Sequence, residues 1–256
     1  MCTVTLSLNA DELILTMNRD EQRSRGPEFP PALQPDGSFY PVDSATGGTW
    51  IGVNQPGVAA CLLNNYRAAE KMQKPQQPLS SRGLIIPEVL AHGEAEACLK
   101  FLATAFNPTQ YSPFNIILAT NQGAFEASWD AVSPFILKPL NTADGMIMRT
   151  SSSWNSEAVC AWRAERFAEW KAESNAVNHR VLDFHRLQQP SKKQWSPLMS
   201  RTETSTRSIT QMLLSFRNSQ AELTYWPQPH DRTLSPQRRI YPLQFFNPPI
   251  KRSSIG

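Results

Sequence analysis

The chain has 256 residues, a formal net charge of +3, 40% hydrophobic and 18% charged residues, and a mean hydropathy of −0.41. That length buries a sizeable core without disulfides, and so small a net charge gives no electrostatic footprint for nucleic acid. The longest apolar runs, such as residues 115–119, fall far short of the ~18 residues of a membrane span, so an integral membrane protein, a disordered tail and a disulfide scaffold are excluded.

The first basic residue is Arg19, and Thr3, Thr5, Ser7, Asp11 and Glu12 break the stretch before it. No export signal is legible there, and a reducing cytoplasm is the expected compartment. Cys2, Cys61, Cys98 and Cys160 are too scattered for a C-x-x-C site, and His92, His179, His185 and His230 include no H-x-x-x-H pair. Neither a metal nor a cofactor is expected. Cys61, Cys98 and Cys160 lie in apolar contexts and read as small core residues. Cys2 has two readings. It is a thiol on a frayed terminus, or, once Met1 is trimmed, it is a nucleophile and a base on one residue. Its α-amine would titrate near ~7.7–8.0 and its thiol near ~8.5.

Residues 3–8 and 13–19 alternate as two strands joined around residues 9–12. A tight turn at Ala10 and Asp11 pairs Leu8 with Leu13, Leu6 with Leu15, Val4 with Met17 and Cys2 with Arg19. One face of this ribbon is apolar until a thiol meets a guanidinium at its open end. The other carries Thr3, Thr5, Ser7, Ile14, Thr16 and Asn18. Opposed residues have Cβ atoms roughly 4.5–5.5 Å apart, and a slip of one residue would destroy the pattern. Arg19 either leaves the sheet for solvent or works beside Cys2. The unbroken run Asn18, Arg19, Asp20 and Glu21 favours the second reading, because buried polar side chains are costly unless used. Residues 27–46, rich in Pro, Asp, Ser and Gly, read as a long loop. Residues 47–54 and 58–63 form a second hairpin about Pro56 and Gly57, ending in Asn64 and Asn65, which on their own read as a turn.

Met1-Cys2-Thr3 followed by Met17-Asn18-Arg19-Asp20-Glu21 resembles the NRDE family, the transport-and-Golgi-organisation-two-like proteins. Residues 47–54 (GGTWIGVN) and 63–67 (LNNYR) are similar to that family's second and third signatures, and Met199-Ser200-Arg201 with Thr206 and Ser208 is a weaker echo. The family is similar in turn to the cysteine branch of the N-terminal-nucleophile hydrolases. That resemblance implies an α+β fold, a four-layer αββα sandwich with Cys2 opening a central strand. It also implies Asn64, with Asn65 one residue away, as the donor to a developing oxyanion. Arg201 is implied as a further substrate-binding candidate. Amidases of that branch order their motif R-N-x-D, whereas here the order is Asn18-Arg19-Asp20, so the roles of Asn18 and Arg19 are interchangeable.

Residues 68–80 read as a flexible basic loop beside the site, with Lys71 and Lys74. Residues 81–91 and 94–105 read as helices split at His92 and Gly93, and residues 114–120 and 124–129 as a third hairpin. Residues 156–173 form an amphipathic helix with Val159, Trp162, Phe167 and Trp170 on one core-facing arc. Residues 208–216 and 221–226 make a last hairpin, and helices grouped between runs of hairpins fit an α+β sandwich. From Pro227 onward, Arg232, Arg238, Arg239, Lys251 and Arg252 face Asp231 alone, so this Pro-rich segment (227–256) is a basic edge of one 256-residue domain.

The expected chemistry is acyl transfer on an amide or thioester bond of a small or lipid-like substrate. Cys2 attacks, its amine accepts the thiol proton, Arg19 favours the thiolate, and Asp20 orients the amine. Asn18 and Glu21 fix the loop around them. The alternative is a non-catalytic carrier or chaperone for an amphipathic ligand such as a lipid, acyl-CoA or haem. The oligomeric state is not legible.

Overall fold

The computed structural model describes residues 2–73, 75, 77–143, 145–173 and 180–244; Met1, Lys74, His179, Lys251 and Arg252 lie outside them. The strands run β1 (Cys2–Leu8), β2 (Glu12–Gln22), β3 (Glu28–Leu33), β4 (Ser38–Asp43), β5 (Ile51–Asn54), β6 (Ala59–Asn64) and β7 (Phe114–Thr120). They continue with β8 (Gly123–Trp129), β9 (Leu137–Leu140), β10 (Ile147–Ser151), β11 (Thr204–Ser215), β12 (Gln220–Pro227) and β13 (Gln237–Pro242). The helices are α1 (Tyr66–Ala69), α2 (Ile85–Leu90), α3 (Ala95–Thr104), α4 (Ser156–Glu173) and α5 (Val181–His185). Two large antiparallel sheets result. The first has the order β10-β1-β2-β11-β12-β13, and the second runs in chain order from β3 to β9.

The first hairpin forms in the expected register, Cys2 opposite Arg19 and each apolar pair in place. Its apolar face, with Val4, Leu6, Leu15 and Met17, packs against the inner face of the second sheet, including Ile51, Val53, Cys61 and Leu63. Another cluster joins Tyr40, Ala60 and Ile116 to Ile86 and Leu90 of α2 and Leu102 of α3. A third joins Ile14 to Phe167 of α4 and to Val181 and Phe184 of α5. The polar face of the hairpin is therefore covered as well: Thr3, Thr5, Thr16, Asn18 and Asp20 are all buried.

Residues 27–46 are not a loop but carry β3 and β4. Pro30 and Pro31 hide the strand from a sequence reading, yet they fall at a register shift between Phe29 and Ala32 on the sheet's edge. A missing N–H is tolerated there. The helix over 81–91 is a 3₁₀ turn (Arg82–Leu84) running into α2, and Gly93, at φ +80°, breaks the chain before α3 as expected. Helix α4 starts where expected and turns Val159, Phe167 and Trp170 inward as expected, but Arg163 takes the place on that face expected of Trp162. Val159, Arg163 and Phe167 are buried at i, i+4 and i+8, while Trp162 lies half-buried beside Arg166 at 5.8 Å. Cys61 and Cys98 are buried in the core, whereas Cys160 is half-buried. The basic segment after Pro227 contributes β13, an edge strand with Arg238 and Arg239 exposed. No helix among the described residues is long and apolar enough to cross a membrane.

Candidate active site

The end of the β1–β2 hairpin opens on a cavity of about 260 Å³ lined by Cys2, Arg19, Asp20, Glu21, Asn64 and Arg82, among others. Arg19 is 5% exposed, and its guanidinium bonds to Glu28, to Asp43 (2.5 Å) and to Glu21 (3.3 Å). Its carbon lies 4.6 Å from the centre of the Trp50 ring, a cation–π contact. Three carboxylates thus share this charge. Burial pushes the Cys2 thiol up; the amino terminus pulls it down, the Asp20 carboxylate adds to the rise, and the Asp20 backbone N–H and Arg19 pull it down further. Arg19 thus favours the thiolate in the expected direction, but desolvation outweighs a cation already shared among carboxylates, and the net shift of the thiol is upward. A thiol kept protonated needs a base to activate it.

The Gly47-Gly48-Thr49-Trp50 stretch has a packing reason. A Cβ on Gly48 would meet the Gly83 backbone, 2.6 Å from its carbonyl oxygen, and the Thr49 N–H donates to that oxygen at 2.8 Å. This contact pins the 3₁₀ turn and carries Arg82 to the cavity wall. Arg82 donates to the Pro113 carbonyl (3.0 Å) and interacts electrostatically with Tyr66, Cys2 and Glu21; burial lowers its pKa. Sequence reasoning missed it, because a lone arginine before a glycine carries no signal without the turn it sits on.

Asn64 ends β6 on the cavity wall, where its Nδ2 donates to the Tyr66 hydroxyl at 2.7 Å. Asn65 is spent differently, as the N-cap of α1, its Oδ1 accepting from the Ala68 N–H at 3.3 Å. Asp20 accepts from the Thr206 hydroxyl (2.6 Å) and from Arg163 (3.4 Å). Burial pushes its carboxyl up, and Arg163 and Thr206 pull it back down.

Asn18, one residue from Arg19, takes the opposite face of β2 and is not part of the cavity lining. Its Nδ2 donates to the carbonyls of His185 (2.9 Å) and Pro197 (2.7 Å), leaving Oδ1 to accept from His185 Nδ1 at 2.6 Å. His185 Nε2 then accepts from the Thr5 hydroxyl at 2.8 Å. Burial holds His185 neutral, its pKa pushed down to about 3. Arg201 lies outside the lining too, its guanidinium 4.6 Å from the Trp154 ring centre. Of the eight residues singled out from sequence, Cys2, Arg19, Asp20, Glu21 and Asn64 converge on the cavity; Asn18, Asn65 and Arg201 do not. Arg163 and His185 were missed, although an arginine in the Val159–Phe167 stripe was a visible anomaly.

Two large antiparallel sheets thus place a cysteine at the start of a strand beside an open, polar cavity. A Caenorhabditis elegans ortholog of N-acylethanolamine-hydrolyzing acid amidase shares this fold at a TM-score of 0.51 and 13% identity, over 82% of this chain and 92% of that one. A Thiobacillus denitrificans structure, BPH in complex with epoxomicin, aligns over 83% of this chain and 98% of that one at a TM-score of only 0.31 and 8% identity. Comparison with curated proteins finds no match. The model of the Transport and Golgi organisation 2 family matches residues 1–226, and the chain belongs to that family.

Proposed function

We propose that the protein is a cysteine N-terminal-nucleophile hydrolase acting by acyl transfer on an amide or thioester bond of a small or lipid-like substrate. The reading takes the chain as one domain in an αββα order, with α2–α3 outside one sheet and α4–α5 outside the other. The observation that carries it is the convergence of Cys2, Asp20 and Asn64 on one cavity.

After Met1 is removed, the Cys2 α-amine accepts the Sγ proton, and sulfur bonds to the substrate carbonyl carbon as the C=O electron pair moves onto oxygen. The Asn64 Nδ2, turned by the Tyr66 hydroxyl (2.7 Å), donates to that oxyanion. Collapse breaks the C–N or C–S bond, and the α-ammonium returns its proton to the leaving group. Water then cleaves the acyl-cysteine with the amine again as base. Asp20 holds the ammonium, and Glu21 borders the cavity mouth.

A non-catalytic carrier of lipid, acyl-CoA or haem fits less well. Carriage alone gives no role to a thiol, a carboxylate and an amide converging on one cavity. The test is intact-mass analysis followed by a screen of N-acyl amides and acyl thioesters. Loss of Met1 with turnover abolished by Cys2→Ala supports the reading; retention of Met1 in active protein contradicts it.

A further inference from the structure

We propose that Arg163 is a positioning residue, holding the Asp20 carboxylate and the Cys2 end of β1 in one arrangement and so setting the pH range over which Cys2 is nucleophilic. The inference rests on the hydrolase reading only in taking Cys2 as the reacting group.

Arg163 is fully buried between Val159 and Phe167 on the apolar stripe of α4. A leucine or methionine would fill that place without the cost of bringing a cation out of water. What the guanidinium gains is five hydrogen bonds. Its Nε donates to the Trp195 carbonyl (2.7 Å), one terminal nitrogen to the Thr3 and Thr150 hydroxyls (2.8 and 3.0 Å), and the other to the Ser196 carbonyl (3.0 Å) and to Asp20 (3.4 Å). The hydroxyls relay this order. Thr150 donates to the Cys2 carbonyl at 3.1 Å, which leaves Thr3 to donate to Thr150 at 2.9 Å. One side chain thereby ties β1, β2 and β10 together at the nucleophile's end. Asp20 is gripped from two sides, by Arg163 of α4 and by Thr206 of β11.

The charged and titratable groups around this pair come from every side. Arg19 of β2, Cys61 of β6 and Arg82 of the 3₁₀ turn act on Cys2, as does the amino terminus. His230, beyond β12, acts on Asp20, and His185 of α5 acts through Arg163. Among them, Arg163 is the cation bonded directly to the Asp20 carboxylate. Removing it takes from the buried Asp20 carboxylate one of the cations that face it, the amino terminus being another, and leaves more of its charge to act on the neighbouring thiol, which raises the pH at which that thiol ionises.

The experiment measures the pH dependence of Cys2 alkylation by iodoacetamide, from pH 5 to 9, by peptide mass spectrometry on the full chain. Arg163→Met is expected to move the profile upward by at least about one unit. Arg163→Lys, which keeps the charge, is expected to restore most of it while losing thermal stability through the forfeited carbonyl contacts. In an Asp20→Asn background, Arg163→Met is expected to produce no shift. Equal profiles for Met and Lys, or a shift that persists without the Asp20 carboxylate, would overturn the inference. If Arg163→Met does not fold, the Lys variant carries the test: a wild-type profile at lowered melting temperature supports the role, and a profile displaced by a unit contradicts it. Alkylation needs no substrate, so a profile that shifts as expected in a protein that hydrolyses nothing would keep this inference and remove the hydrolase reading.

Discussion

The two faces of the β1–β2 hairpin differ in what their burial achieves. The inner face is an apolar ladder from Leu13 to Met17 that ends in Cys2 and Arg19 at the cavity. The outer face is polar apart from Ile14, yet it is equally buried, with Arg163, His185, Thr206 and Gln211 among the partners of its hydrogen bonds. Hydrophobic burial places the nucleophile, and a satisfied polar network fixes its orientation. A half-satisfied network of this kind would be worse than an apolar one, so the outer face has to be built whole.

This contrast is open to attack from either side. On the inner face, Arg19→Met takes the shared cation from the buried Glu28 and leaves Asp43 to Arg25 alone, and urea denaturation is expected to show a loss of about 3–5 kcal/mol. Asn64→Ala is expected to lower kcat about 10²–10³-fold on any substrate the screen yields, with unfolding little changed. A stability loss with unaltered kcat would instead make Asn64 structural. On the outer face the effect is pH-dependent. His185 is neutral when folded and titrates near about 3, below its ordinary value of ~6.5. The unfolded chain therefore binds the extra proton first, and stability is full above pH ~6.5 and falls by a few kcal/mol as pH drops toward 3. Melting curves of wild type against His185→Gln should show a shallower acid slope in the variant. The smallest effect belongs to Asn65→Ala, about 1 kcal/mol from a lost cap, with kcat preserved where Asn64→Ala destroys it.

How much of this was legible in the chain follows from range. The first hairpin's register was readable because alternation and a tight turn are local, and the start of α4 was readable from its periodicity. Strands β3 and β4 were not, since Pro30 and Pro31 are acceptable only at an edge that the sequence does not reveal. Cys2 and Arg19 were found because strand parity and a resemblance pointed the same way; Asp20 and Glu21 came with the unbroken polar run after them, and Asn64 came from the resemblance alone. Arg163 was hidden for the opposite reason: Trp162 is the larger apolar residue beside it, and only the packing of α4 on Thr3 and Asp20 decides which of the two turns inward.

The account stands most directly on the acyl-enzyme. Protein whose Met1 has been removed should be mixed briefly with an activated N-acyl amide, quenched in acid and digested, and the peptides weighed. The acyl mass is expected on the peptide beginning at Cys2, absent from peptides containing Cys61, Cys98 or Cys160, and absent throughout in Cys2→Ala. Turnover with no adduct on Cys2, or an adduct that persists on another cysteine in Cys2→Ala, would contradict it.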